Sequence, residues 1–230
     1  MSVWFTIPSI RPLDQLEPVL EAWKKQGYHI ALLRQGPATK LADLSIPTDR
    51  YLGWARSTNI LAGEVLGMDS DCNFCVAGGD DYLPDSYHSA GEIEKQCIEH
   101  FGGTFGVMQP TGDNWSDSMG RIIERIAGSP WLGREWCLRA YEGAGPMPAY
   151  YHHNYADSEL QDVALQQGVF WQRPDLCQYH NHWARKAGWD FSKAPDFARY
   201  INSQEYTEAQ VIYFRRKATG FPGSAPLGAK

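Results

Sequence analysis

Apolar positions along the chain fall into two alternating rhythms. Val3-Trp4-Phe5-Thr6-Ile7-Pro8 is a β-rich run halted by proline, and Leu13, Leu16, Leu20 and Trp23 then mark one helical stripe that ends at Gly27. Pro18 fits badly inside such a helix, so its regular part is predicted to begin near that residue, with Lys24 and Lys25 well placed in the last turn. Residues 28–33 form a second apolar run without clean alternation, as expected of a strand covered on both faces. A β-α-β unit is implied. Residues 37–49 read as loop, 55–66 as a helix with Leu61, Val65 and Leu66 inward, and Cys72–Ala77 and 104–108 as further strands. Strands alternating with helices predict an α/β fold built on a mostly parallel sheet with flanking helices.

After about residue 110 the rhythm weakens. Met119, Ile122, Ile123 and Ile126 share one face of a predicted helix, residues 131–155 are aromatic and rich in glycine and proline, and residues 158–167 form a helix closed by Gly168. Residues 207–217 read as a last helix, followed by a small-residue segment, 218–230, predicted to be a mobile tail. The expectation is one domain over 1–217, with halves of about 1–110 and 111–217.

Composition narrows the picture. The 230 residues are 43% hydrophobic and 21% charged with a mean hydropathy of -0.44, enough for a core under a wet surface, which excludes a disordered chain. No apolar run approaches the roughly 18–20 residues that span a bilayer, and a cytoplasmic protein without a membrane span is expected. Lys and Arg number 21 against 27 Asp and Glu, a net charge of -6, so broad electrostatic binding to nucleic acid is disfavoured. The five cysteines are too few and too scattered for a disulfide framework, and reduced thiols are expected. Cys72 and Cys75 form the one C-x-x-C, but three residues apart on a strand they point to opposite faces and read as core.

Candidate chemistry begins where the third strand ends. In open parallel sheets ligands bind beyond the carboxyl ends of the strands, and Gly78-Gly79-Asp80-Asp81 lies there. The glycines admit a bulky group close to the backbone, and adjacent carboxylates are hard oxygen ligands for Mg²⁺ or Mn²⁺, which in turn hold a diphosphate. Tyr179-His180-Asn181-His182-Trp183 places two imidazoles on one side of an extended segment, suited to completing such a site. Asp157 stands at a predicted helix start, where an aspartate is a favoured N-cap. Trp115, Trp131, Trp136 and Trp171 lie in the irregular half, where core filling outweighs sugar stacking for most of them.

The order of several weak motifs is more informative than any one. A first strand ending Thr6-Ile7-Pro8-Ser9, a helix opening Gly53-Trp54-Ala55-Arg56-Ser57-Thr58-Asn59, a strand running into Asp80-Asp81 with Leu83-Pro84-Asp85 behind it, and Asp157-Ser158-Glu159-Leu160 with Gly168 together resemble a GT-A glycosyltransferase, similar to glycosyltransferase family 2. The resemblance covers roughly residues 3–183. It departs from the family's Asp-x-Asp element, because the pattern here is Gly79-Asp80-Asp81, and the family's last Asp maps onto either Asp80 or Asp81.

The resemblance implies a donor-binding half near 1–110 and an acceptor half near 111–217. Thr6 and Pro8 would border the nucleobase, Arg56 and Asn59 on one helix face would reach the donor, and Gly79 and Asp80 would line its site, with Arg11 and Arg34 as weaker candidates. Asp80 or Asp81 with His180 or His182 would hold Mn²⁺ or Mg²⁺. Asp157 would be the general base, and His152 and His153 would belong to the acceptor region. The implied reaction is an inverting, metal-dependent transfer from a nucleotide-sugar, a UDP-sugar first, to a hydroxyl acceptor. Acceptor classes left open are protein, glycan, lipid headgroup, small molecule and a hydroxymethylated DNA base. Two rivals remain: a nucleotidyltransferase, although Ile7-Pro8-Ser9-Ile10-Arg11-Pro12 lacks that class's glycine-rich loop, and a binding protein that has lost catalysis.

Overall fold

A computed structural model describes residues 1–117, 119–123, 126–195 and 205–228. Seven strands form the main sheet: β1 (Ser2–Ser9), β2 (His29–Arg34), β3 (Leu44–Pro47), β4 (Cys72–Ala77), β6 (Val107–Pro110), β7 (Trp131–Gly133) and β8 (Phe170–Arg173). Their spatial order is β3-β2-β1-β4-β7-β6-β8, parallel except for β7, which runs against both neighbours. The remaining strands, β5 (Tyr82–Leu83) and β9 (Tyr179–His180), pair with each other beyond the end of β4. The predicted mostly parallel α/β sheet is therefore the observed one. Residues on both sides of position 110 contribute strands to it.

Each face of the sheet is covered by helices. On one side α1 (Leu13–Lys25) and α3 (Ala90–Phe101) bury Leu16, Leu20, Trp23, Ile93 and Cys97 against Phe5, Ile7, Ile30 and Val76. Trp23 lies flat on Phe5, with ring centroids 3.8 Å apart, and its indole N–H donates to the Tyr82 carbonyl at 2.8 Å. That bond fixes the start of β5 to the core. On the other side α2 (Trp54–Met68), α4 (Arg134–Arg139), α5 (Ala156–Gln166) and α7 (Tyr206–Ala218) bury Leu61, Val65, Trp136, Leu160 and Tyr213; the short α6 (Ala184–Ala187) follows β9. A fully buried leucine contributes roughly 1.5–3 kcal/mol, so these two layers hold the strand ends rigid.

Several expectations need correction. α1 starts at Leu13, with Pro18 inside it on the exposed face, where the ring meets solvent and no core contact is lost. β3 and β7 are four and three residues long, too short to register as periodic runs. The helix expected through Met119, Ile122, Ile123 and Ile126 lies partly outside the described residues. Where described, the chain turns instead: the Asp117 carboxylate accepts the N–H groups of Met119 and Arg121, a local bond that competes with helix, and Gly120 has φ 77°. Cys72 and Cys75 do not face apart. A register shift where β4 meets β1 brings their sulfurs to 4.0 Å, both buried.

The last segment is packed down. Phe221 is 1% exposed within the core, Ala225 accepts the Glu142 N–H at 2.8 Å, and Leu227 donates to the Arg139 carbonyl at 2.7 Å. One aromatic anchor thus overrides the small-residue composition that predicted a mobile tail. Among the described residues no helix is long and apolar enough to cross a membrane.

Candidate active site

The carboxyl ends of β1 and β4 open into a cleft of about 330 Å³, and the sequence after each strand supplies its floor. Pro8, Ser9 and Arg11 come from β1 and its exit, Gly79, Asp80 and Asp81 from the exit of β4, and His180 and His182 from β9 and the turn after it. One short stretch, His153, Asn154, Tyr155 and Asp157, also lines it, with Tyr51, Trp54, Ile123, Ile126 and Gly128. A wider but shallow groove of about 410 Å³ at the sheet edge, lined by Gln96, His100, Trp171 and Arg173, shares none of these groups.

The two adjacent aspartates have different partners. Asp80 accepts a hydrogen bond from Ser9 Oγ at 2.6 Å through one oxygen and meets Arg11 Nε at 2.8 Å with the other. Burial pushes its carboxyl up to about 6, against the pull of Arg11 and Ser9. Asp81 lies 3.5 Å from His180 Nε2 and 3.8 Å from Arg11. Burial opposes its charge too, but the hydrogen bond and charge of His180, with Arg11, outweigh it and hold the carboxyl at about 2. Gly79 makes room for this carboxylate, since a Cβ there would stand 2.6 Å from Asp81 Oδ1.

His180 is fixed from three sides. Its ring stacks on Tyr82 at 4.0 Å, its backbone N–H donates to Asp113 at 3.0 Å, and Arg185, itself paired with Asp113, donates to its backbone carbonyl. His182 is outside the strand, which ends at residue 180, yet its ring is 5.1 Å from that of His180. The same side is reached by turning, not by strand alternation. Burial and the neighbouring His180 push the His182 imidazole down to about 4, leaving it a neutral nitrogen donor. Trp115 and Trp189 stack on each other at 5.0 Å beside it.

Asp157 does not cap its helix. Tyr155 occupies the cap position with a left-handed φ of 69°, and the Asp157 carboxylate, one residue inside α5, accepts from Ser158, at 2.7 Å from N and 3.3 Å from Oγ. Burial raises its pKa despite those bonds. A raised carboxylate facing a cleft is suited to taking a proton. The loop before α5 is held by close approach: Trp54 N donates to the His152 carbonyl at 2.8 Å, and a Cβ on Gly53, whose φ is 90°, would stand 2.2 Å from that oxygen.

Of the residues singled out from sequence, Pro8, Arg11, Gly79, Asp80, Asp81, Asp157, His180 and His182 meet in this cleft. Thr6, Arg34, Arg56 and Asn59 do not line it. Thr6 is buried in the sheet and donates to the Val76 carbonyl, and Arg34, also buried, donates to the Arg11 carbonyl at 3.1 Å. Arg56 is exposed on α2, and the Asn59 amide clamps the Met147 backbone through both its groups at 2.9 Å. His153 lines the cleft and is bonded to Tyr51 at 2.8 Å, whereas His152 is exposed. Burial lowers the His153 pKa and raises that of Tyr51. Sequence reasoning gave no site role to Ser9, Tyr51, Trp54, Tyr82 or Asn154; Ser9 and Trp54 stand within quoted motifs and Tyr82 beside one, the signal that could have found them.

No family model matches the chain, and no curated protein matches it. Among solved structures it is similar to the catalytic domain of Drosophila β1,4-galactosyltransferase 7 in complex with xylobiose, with a TM-score of 0.50, 13% identity, and coverage of 89% of this chain and 81% of that one. A point mutant of the same enzyme in complex with manganese, UDP-Gal and xylobiose aligns at TM-score 0.47 and 14% identity, over 90% and 82% of the two chains. The fold is GT-A-like.

Proposed function

We propose that this chain is an inverting glycosyltransferase that moves a sugar from a nucleotide-sugar, in the first instance a UDP-sugar, to a hydroxyl acceptor with the help of Mn²⁺ or Mg²⁺. The observation that carries the reading is one cleft lined by both a carboxylate–imidazole pair, Asp81 with His180, and a desolvated carboxylate, Asp157. The reading is supported by the cleft's position beyond the carboxyl ends of β1 and β4, where ligands of open parallel sheets bind, and the xylobiose bound to the structural neighbour makes a sugar the first acceptor class to test.

The donor set suits a divalent ion. Asp81 Oδ2 and His180 Nε2 are 3.5 Å apart, the spacing of two ligands sharing an ion with bonds of about 2.1 Å. Both oxygens of Asp80 are already engaged by Ser9 and Arg11, so Asp81 would be the direct ligand, with Asp80 orienting Arg11. Among the described residues no three His, Cys, Asp or Glu side chains form a ready-made cluster, so this chain would hold the ion through the Asp81 and His180 pair. When bound, the ion supplies charge that offsets the leaving diphosphate. Arg11 adds a fixed guanidinium on the same side, useful because charge develops there as the glycosidic bond breaks. Asp157 takes the acceptor hydroxyl's proton, so that oxygen attacks the anomeric carbon from the face opposite the diphosphate, with inversion.

Asp157→Asn tests the reading. The amide still accepts the Ser158 bonds, so stability and donor affinity are expected to stay at parental levels, while kcat falls by about 10²–10⁴-fold, the usual contribution of a general base. A kcat near the parental value removes Asp157 from the reaction. A chain that binds the donor and never releases free nucleoside diphosphate is a binding protein.

A further inference from the structure

Four residues that line the cleft on its proposed acceptor side, His153, Asn154, Tyr155 and Asp157, come from five consecutive positions. Tyr155 holds a left-handed φ of 69°, a conformation that costs a non-glycine residue on the order of 1 kcal/mol and persists only when its surroundings enforce it. The enforcing groups come from the C-terminal helix, some 50 residues further along the chain.

At the head of that helix, one Glu205 oxygen accepts the backbone N–H groups of His153 at 3.0 Å and Asn154 at 3.2 Å, and the other accepts the Asn154 side-chain amide. One turn on, the Tyr155 hydroxyl donates to Tyr206 at 3.1 Å and accepts from Gln210 at 2.9 Å. Further along, Tyr213 and Lys217 bind Asp162 at 2.6 and 2.8 Å. Arg216 forks onto both oxygens of the fully buried Glu159 at 2.8 Å. Positions 206, 210, 213 and 217 recur every three or four residues, so one face of α7 reads the whole segment from wall to helix. An apolar stripe tolerates sliding of one helix along another. Directional bonds at this many points fix a single register.

We propose that α7 is a positioning clasp for the acceptor-side wall and that Glu205 is the residue through which it aims Asp157. The proposal rests on the reading of Asp157 as general base. Glu205 acts through the 153–157 backbone and touches no reacting atom, so its removal misplaces the base and leaves the donor floor of Asp80, Asp81 and His180 intact.

Glu205→Ala, with Glu205→Gln as the conservative partner, tests this in the full chain. Amide hydrogen exchange at residues 153–154 should quicken in Glu205→Ala while exchange around Asp80 and Asp81 stays unchanged. With a donor and acceptor that turn over, kcat should fall about 10–100-fold, since misplacement by an ångström costs about that much, and the donor KM should hold. Glu205→Gln should recover most of both, because its amide oxygen still accepts the two backbone N–H groups. Unchanged exchange at 153–154 overturns the clasp whatever the reaction is. Quickened exchange with normal kcat overturns its link to catalysis. A parental protein whose turnover survives Asp157→Asn removes the base reading itself, and exchange then decides the clasp alone.

Discussion

The two halves of the molecule are held together by different physics. In the first 110 residues, β1, β2 and β4 sandwich apolar side chains against α1 and α2, and the main contacts are Phe5 on Trp23 and the Leu61 and Val65 ridge of α2. In the second half the decisive contacts are polar and far apart in sequence: Asp113 with Arg185, Glu159 with Arg216, Asp162 with Lys217, and Glu205 with the 153–154 backbone. Apolar layers set where the strand ends lie. Directional pairs set where individual side chains point. Asp80 and Asp81 hang from the first kind of structure, and His180 and the 153–157 stretch from the second, so each should fail in its own way.

The largest stability effect is expected where a polar contact is deepest. Glu159 is fully buried, takes both Arg216 nitrogens and also accepts the Tyr151 hydroxyl at 2.6 Å. Arg216→Ala leaves that carboxylate without its cation, at a cost of about 3–5 kcal/mol, readable in urea unfolding. Replacing both partners, Glu159→Leu with Arg216→Leu, should recover most of that loss, because the penalty comes from stranding a charge more than from losing a pair. If the double variant is as unstable as the single one, the second half depends on the pair's directional bonds for stability as well as for aim.

How much of this was legible in the sequence follows the same division. Periodicity located β1, β2, β4, α2 and α5 to within a few residues because each buries an apolar face against the sheet. It missed β7, which at three residues borrows its pairing from β4 and β6, and it expected a helix through Met119, Ile122, Ile123 and Ile126 where, among the described residues, an Asp117 turn takes up Met119 and Arg121. On the donor floor, Asp80 and Asp81 announced themselves by following a buried strand. Tyr51 and Glu205 had no such signal, since their roles arise from contacts across more than 50 positions. Asp157 was found through motif order, whereas the cap role that its sequence context favoured belongs to no side chain at all.

A smaller effect of opposite sign is expected on the donor floor. Asp80 is held near pKa 6 by burial, above the ordinary carboxylate value, so the folded state keeps its proton to higher pH than the unfolded chain does. Its contribution is therefore neutral at low pH and turns unfavourable as pH rises from about 4 through 6. Asp81, held at about 2, has the reverse linkage: it stabilises the fold above the ordinary carboxylate range and loses that contribution as pH falls towards 2. Asp80→Asn should therefore raise stability by on the order of 1–3 kcal/mol at pH 7.5 without metal, with the gain vanishing near pH 4. A melting temperature that drops at pH 7.5 would mean that the Arg11 pairing outweighs the burial of the charge.

The smallest effect separates the resemblance from the geometry. Arg56 sits on the third residue of α2, where similarity to a family placed it against the donor, yet its side chain is exposed and outside the cleft, while Arg11 stands against both aspartates. An exposed arginine without a built partner contributes within about 0.5 kcal/mol. Arg56→Ala should accordingly leave both the melting temperature and the donor KM at parental values, whereas Arg11→Ala should raise the donor KM. The two arginines are thus a direct contest between motif order and strand-end geometry for the same diphosphate. A tenfold loss of donor affinity in Arg56→Ala would require the N-terminal end of α2 to swing toward the cleft when donor binds, and Gly53, packed against the His152 carbonyl, would be the position where that movement has to begin.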